Sequence, residues 1–471
     1  MPTSCVFSRD IVTRPLAACL LLALGTGAAA SPHPMSVERA PRGAIPVTNC
    51  DDDGDGSLRA VVAAATSGDT IDLGSLTCST ITLTTGFIGI EQDDLSLIGS
   101  GSANLSIDAG DASGVIRHTG AGTLAITGLT LSHGHYQSAQ TPRGGCIYSA
   151  ANLDIAASVV TDCAAVGTAS EIARGGAVYA HGNLSLAASL VTASHAQGTA
   201  SGAHGGGVYV RGDFTAHFST ISNNAAYGAP INGGQGGGAM IVGTTTLNSS
   251  TVSGNGAYSV GGIWTQDEVT IDSSTISDNG ASLTAGMRAT YTSGSPIATI
   301  VNSTIANNHA VARVGGLNLI IPAKISNTTI AFNEAFNGLA GVLMSGPTLE
   351  LESTIISGND ASGEPDDLDG YGSPVITGAN NLVIASSAPL PPDTISSDPL
   401  LGTLGDNGGP TPTIPLMAGS PAIDTGNNLA QLATDQRGPG FAREVGLAAD
   451  IGAFEVQTSD IIFANGFDPG D

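Results

Sequence analysis

A short motif returns through the middle of the chain at intervals of 24 to 31 residues. It reads Ser219-Thr220-Ile221…Asn224, Ser250-Thr251-Val252…Asn255 and Ser274-Thr275-Ile276…Asn279, then Ser303-Thr304-Ile305…Asn308 and Thr328-Thr329-Ile330…Asn333. A period of this size, built from β-branched residues, restricts the chain to a stacked solenoid, because one repeat cannot bury its own apolar face. The aliphatic anchor of the motif extends upstream to Leu131, Val160 and Val191 and ends at Ile355-Ile356. Half a coil away, glycine pairs recur at Gly144-Gly145, Gly175-Gly176, Gly205-Gly206, Gly236-Gly237, Gly261-Gly262 and Gly315-Gly316, marking one corner of each coil. The spacing predicts parallel strands about 4.8 Å apart, with the aliphatic anchor inward and its Ser and Thr neighbours outward. Asn224, Asn255, Asn279, Asn308, Asn333 and Asn359 each fall three residues after an anchor. Two roles are expected of them: taking the left-handed conformation of a bend, and hydrogen-bonding along the axis as an amide ladder. Cys163 occupies the equivalent place in an earlier coil.

The 471-residue chain has a formal charge of −26, with only 14 basic residues against 40 acidic ones. That balance argues against nucleic-acid and anionic-membrane binding, which need basic patches. At the N-terminus, Arg9 and Arg14 precede an apolar run over 16–24 and a small-residue site at Ala28-Ala29-Ala30, the pattern of a secretory signal over residues 1–30. A Pro-rich linker follows over 31–48, and no later run is long enough for a transmembrane helix. Four cysteines remain after removal of the signal: Cys50, Cys78, Cys146 and Cys163. In an exported chain they imply two disulfides, and neighbourhood favours Cys50–Cys78 and Cys146–Cys163 among three possible pairings.

Residues Ser57 to Thr66 carry the one convincing helical pattern, with Ser57 as N-cap and Leu58, Val61, Val62 and Ala65 on one face. A short amphipathic helix there would cover the open end of a strand solenoid over residues 49–128. Regular coils are expected over 129–385, a distinct C-terminal segment over 386–456 and a tail over 457–471.

Taken together, these features resemble the right-handed parallel β-helix of the pectate-lyase-like fold. The Gly-Gly-x-aliphatic and Ser-x-Ile-x-x-Asn segments are similar to polymorphic-outer-membrane-protein-like repeats of bacterial surface proteins, as is the start Gly56-Ser57-Leu58-Arg59-Ala60-Val61…Gly68-Asp69-Thr70-Ile71. Downstream, Asn407-Gly408-Gly409-Pro410-Thr411, Gly419-Ser420-Pro421-Ala422-Ile423-Asp424, Asp435-Gln436-Arg437-Gly438 and Asp450-Ile451-Gly452-Ala453-Phe454-Glu455 resemble the choice-of-anchor Q domain. The resemblance implies an all-β fold and an exported protein, and no single activity.

Chemistry is sought in the positions the repeat lets vary. Glycosidases need paired carboxylates, and lyases of this fold need carboxylates holding calcium beside a basic residue. The coils between Leu129 and Ile330 are poor in acids, so catalytic residues are not assigned and the reading leans away from an enzyme. The residue before each of four successive glycine pairs is Arg143, Arg174, His204 and Gln235. Stacked in register, they form a candidate ligand stripe suited to an acidic glycan, with Glu171 and Arg211 expected nearby and a solvated polar corner as the competing reading. Tyr148, Tyr179 and Tyr209 repeat once per coil, and an internal aromatic stack is favoured over an outward sugar-binding row. Asp51, Asp53 and Asp55 begin a calcium-loop pattern, but Val62 stands where such a loop needs Glu, so a polar turn is the default and calcium the minority reading. No other cofactor or metal is expected. The leading expectation is an adhesin-like or glycan-binding surface protein acting as a monomer, against a polysaccharide lyase or hydrolase and a structural spacer.

Overall fold

A computed structural model describes residues 43–458 and Asp460, apart from 170, 200–201 and 229–232. The expected signal, most of the linker and most of the tail lie outside the described residues. Stacked coils form a right-handed parallel β-helix of about eleven turns. Four sheets run along it, of thirteen, twelve, eleven and ten strands, here named sheets 1, 2, 3 and 4; sheet 5 has three. One coil runs Val178–Ala180 in sheet 3, Leu184–Ala187 in sheet 1, Leu190–Thr192 in sheet 2, His195–Gln197 in sheet 4 and Ala203–His204 in sheet 5. The aliphatic anchors stack in sheet 2, where Val191 pairs with Ile221, Ile221 with Val252 and Val252 with Ile276, all buried. Each such side chain contributes about 1.5–3 kcal/mol by leaving water.

Two expectations about the motif need correction. Its serine does not face outward: Ser219, Ser250, Ser274 and Ser303 are all buried. The chain bends between sheets 1 and 2 through a left-handed residue just before the serine, such as Phe218 or Ser249. The serine N–H at that bend lacks a strand partner, and the hydroxyl of the next coil takes it. Ser219 N thus donates to Ser250 Oγ at 3.1 Å, while Ser250 Oγ donates to Asn248 O at 2.8 Å. The second bend, between sheets 2 and 4, follows the same rule. Its left-handed residue is the one before the asparagine, as at Asn223, Asp278 and Asn307, and not the asparagine itself.

The asparagines run as a continuous buried ladder. Asn255 donates from Nδ2 to Ile221 O and to Asn279 Oδ1, both at 3.0 Å, and its backbone N–H meets the same Oδ1 at 3.0 Å. The pattern runs from Asn224 to Asn359, receives Ser194 N at one end and closes on Asp367 Oδ1 at the other. Sheet pairing and this ladder engage the side-chain amides within the coil stack.

The N-terminal end is covered by a helix over Leu58–Ala64, shorter than the 57–66 pattern, with Ser57 Oγ accepting from Ala60 N. Disulfides join Cys50 to Cys78 beside this cap and Cys146 to Cys163 within one turn. The C-terminal segment doubles back along the outside of sheet 2. Thr275 Oγ1 donates to Pro412 O at 2.7 Å, Thr304 Oγ1 to Gln436 Oε1 at 2.6 Å and Ala453 N to Thr329 Oγ1 at 3.0 Å. Within this segment, buried pairs Arg437–Asp435 (2.7 Å) and Arg443–Glu455 (2.8 Å) hold the strap together. Phe441 and Phe454 sandwich the Arg437 guanidinium.

Candidate functional site

Sheet 3 positions the candidate site. Its strands have three residues, so the outer two point into the core and the middle one points out. Val178 and Ala180 belong to the main core, whereas Tyr179 sits outside it in a small cluster with Tyr209 and Met240. Parallel register aligns these middle residues into one column: Arg117, Tyr148, Tyr179, Tyr209, then Met240, Trp264 and Arg288. The tyrosines stack at 5.4 Å with planes within 7° of parallel. The internal stack expected from their spacing is therefore a stack on the outer face of the sheet. Tyr179 is nonetheless only 1% exposed and Tyr209 only 7%, so this face is hemmed in by its neighbours.

Those neighbours include the residues before the glycine pairs. Arg143, Arg174, His204 and Gln235 pair in register on adjacent coils, the last three within sheet 5. Each is followed by a left-handed glycine, Gly144, Gly175, Gly205 or Gly236. The later pairs are not equivalent, because Gln235 pairs with Val260 while the Gly237 N–H meets Val260 O and Gly238 N meets Gly261 O, leaving the left-handed glycine as an extra residue. A Cβ on Gly175 would collide with the Val178 carbonyl, so the bulge requires glycine. Bulges re-aim the side chains beside them. In three of the four bulged coils the preceding residue, Arg143, Arg174 or His204, lies beside the tyrosine stack.

The contacts are cation–π in kind. Arg143 Cζ lies 5.2 Å from the Tyr179 centroid, Arg174 5.6 Å from Tyr209 and Arg117 4.5 Å from Tyr148. His204 lies nearly parallel to Tyr209, with centroids 6.4 Å apart. From the opposite border, Arg211 donates from Nη1 to His181 Nε2 at 3.0 Å. Further along, Arg288 lies 5.0 Å from the Trp264 ring, whose Nε1 donates to Thr290 Oγ1. Arg117, Arg288 and Trp264 are absent from the residues the sequence singled out, whereas Arg211 was expected near the stripe; the strand alternation around Tyr148, Tyr179 and Tyr209 was the signal that could have found the column.

Electrostatically the stripe is unusual. Among the described residues there are ten Arg and Lys, and Arg59, Lys324, Arg437 and Arg443 are ion-paired. The other six, Arg117, Arg143, Arg174, Arg211, Arg288 and Arg313, form no ion pair among the described residues. Nη1 of Arg117 and Nε of Arg143, Arg174 and Arg288 are buried with no hydrogen-bond partner among the described residues. Glu171, the acid nearest in sequence to Arg174, is exposed and accepts from Thr141 Oγ1 instead. Burial, followed by the charge of Arg174, pushes His204 down to about 4, so its imidazole is neutral at pH 7. Burial and then Arg313 lower the pKa of Arg288, and burial raises that of Tyr179. Such a surface can hold carboxylates by charge-assisted hydrogen bonds and apolar ring faces by stacking. Neither column presents a carboxylate along this stretch, so the paired acids of glycoside hydrolysis are not at hand here.

The acidic N-terminal turn is organised around a different residue from those in the calcium pattern. Asp52 Oδ1 meets Arg59 Nη2 at 2.6 Å, and its Oδ2 accepts from Thr84 N and Thr85 N at 2.9 and 2.7 Å. Asp53 Oδ1 accepts from Gly54 N, while Asp51 and Asp55 engage Asn49 through their backbones. Among the described residues, no group of three or more His, Cys, Asp or Glu side chains is placed to hold a metal.

No family model and no curated protein matches the chain. Among solved structures, the crystal structure of pectate lyase Pel9A is similar, with a TM-score of 0.41 and 14% identity over 88% of this chain and 97% of that chain.

Proposed function

We propose that this is an exported surface or extracellular β-helix that binds an acidic glycan on the arginine–aromatic stripe without chemically altering it. The observation that carries the reading is the set of six arginines that form no ion pair among the described residues, on a chain with 40 acidic residues and a charge of −26. Like charges gathered on one face repel, and the aromatic column offsets this at about 0.5–2 kcal/mol per cation–π contact. An anionic ligand would relieve the repulsion through charge-assisted hydrogen bonds to the guanidinium N–H groups that remain accessible.

Export is supported by the signal-like N-terminal sequence and by two disulfides, which persist in oxidising compartments. Among the described residues, no helix is long and apolar enough to cross a membrane. A glycan array, followed by calorimetry on the hits, tests the reading with the wild type and Arg143→Ala/Arg174→Ala. Binding to carboxylated glycans that falls at least tenfold in the double variant supports it. Release of unsaturated or reducing-end products, lost on Arg174→Ala, would replace it with an enzyme. Binding of no glycan would leave only a structural spacer.

A further inference from the structure

Where the C-terminal strap meets the last coils, an apolar groove is open to the surface. Beside Asp460 lies a cleft of about 290 Å³ walled by Pro415, Leu416, Met417, Ala418 and Phe454. Met417 also borders a second cleft of about 560 Å³, which Phe332, Ile384, Pro399, Leu400 and Leu401 line. Met417, Leu400 and Ile384 are exposed, although Ile414, Leu416 and Ile451 of the same strap are buried. Leu400 holds a left-handed φ of 50°, rare for a bulky residue, at a turn where its N–H donates to Asp398 Oδ1 at 2.9 Å. Adjoining apolar side chains left at a surface mark a place that another group covers.

The chain itself arrives at this groove. Asp460 lines the smaller cleft, and its Oδ2 accepts from Gln457 N at 2.9 Å and from Arg437 Nη1 at 3.3 Å. The residues that follow it are Ile461-Ile462-Phe463-Ala464-Asn465-Gly466-Phe467, an uncharged and largely apolar run ahead of Asp468. An extended chain advances about 3.3 Å per residue, so Phe463 can reach about 10 Å from Asp460 and Phe467 about 23 Å. A cavity of about 150 Å³ accepts benzene, so each cleft has room for a phenylalanine ring.

We infer that residues 461–467 dock in cis in this groove, with Phe463 in the cleft beside Asp460 and Phe467 in the cleft beyond Met417. Phe332 and Ile384 come from the coils, whereas Pro399, Leu400 and Leu401 come from the strap. A ring seated among them latches the strap onto the last coils. Tethering at the groove's edge gives the tail an effective concentration there of about 1 mM, against which any separate partner must compete. The inference is independent of the glycan reading, because no residue of the groove belongs to the stripe.

The test compares the full chain with its Phe463→Asp/Phe467→Asp variant, each titrated with a labelled synthetic peptide of residues 460–471 and followed by fluorescence anisotropy. The variant should bind the peptide. If its Kd is about 10 μM, wild type should bind roughly a hundredfold more weakly, because its own tail fills the groove. A peptide carrying the same two aspartates should bind neither protein. Adding Met417→Asp to the variant should abolish peptide binding, and unchanged melting separates that loss from misfolding, since Met417 is exposed.

Equal peptide binding by wild type and variant, no binding by the variant, or binding that survives Met417→Asp would overturn the inference. So would a wild type that dimerises with rising concentration while the variant stays monomeric, because the tail would then dock on a second copy.

Discussion

Replacing Asn279 with leucine should be far more costly than its conservative volume suggests. Asn279 is fully buried. It donates to Val252 O at 3.0 Å and to Asn308 Oδ1 at 2.9 Å, and its Oδ1 accepts from both the backbone N–H and Nδ2 of Asn255 at 3.0 Å. Leucine removes all four bonds. Two donors of Asn255, itself buried, lose this acceptor, at about 1–3 kcal/mol each. Val252 O and Asn308 Oδ1 each lose one donor, although Asn308 Oδ1 keeps the Asn279 backbone N–H at 3.1 Å. Burial of the leucine side chain returns about 1.5–3 kcal/mol. The net loss should be about 3 kcal/mol in urea unfolding, against less than about 0.5 kcal/mol for Asn337→Leu at an exposed position. Because Asn255 and Asn279 share two of the bonds, Asn255→Leu/Asn279→Leu should cost less than the sum of the single changes. A loss for Asn279→Leu no larger than that for Asn337→Leu would refute the ladder as a source of stability.

Other outcomes follow from the same contacts. Removing the Cys146–Cys163 link, which closes a separation of 17 residues, should destabilise the chain by about 3 kcal/mol, seen as a lower melting temperature for the double Ser variant or under reductant. Gln436→Leu should loosen the C-terminal strap, because the buried amide accepts from Thr304 and donates to Thr275 and Thr411; hydrogen exchange should rise over 407–456 and not in the upstream coils. His204 has a folded pKa of about 4, below the ordinary 6.5, so the unfolded chain binds more protons between those values. Stability should therefore fall as pH drops from about 6.5 toward 4. His204→Gln should reduce that slope, and a histidine titration followed by NMR should show this imidazole neutral at pH 6.

What could be read from the sequence was what depends on period and neighbourhood. Val191, Ile221 and Val252 recur at coil spacing because every coil must fill the same interior slot. The two disulfides join cysteines that are close along the chain, and Ser57 begins a helix by a local rule. The inward serine was illegible because a small hydroxyl at a bend has the same composition as one in water; only the next coil's N–H decides its direction. The column before the glycine pairs was visible, yet its extent was not. Arg117 and Arg288 stand at different offsets from any glycine pair and join the stripe only through strand pairing. The one-residue shift between the early and late glycine pairs was hidden too, since both look alike until the left-handed Gly144, Gly175, Gly205 and Gly236 are distinguished.

The most direct test of the account is titration of the wild type and of Arg143→Ala/Arg174→Ala with a carboxylated polysaccharide at low and at high salt, with product formation followed in the same samples. Binding at low salt that weakens at high salt, falls at least tenfold in the variant and yields no product is the predicted result. Equal binding by wild type and variant, or turnover of the polysaccharide, would contradict it.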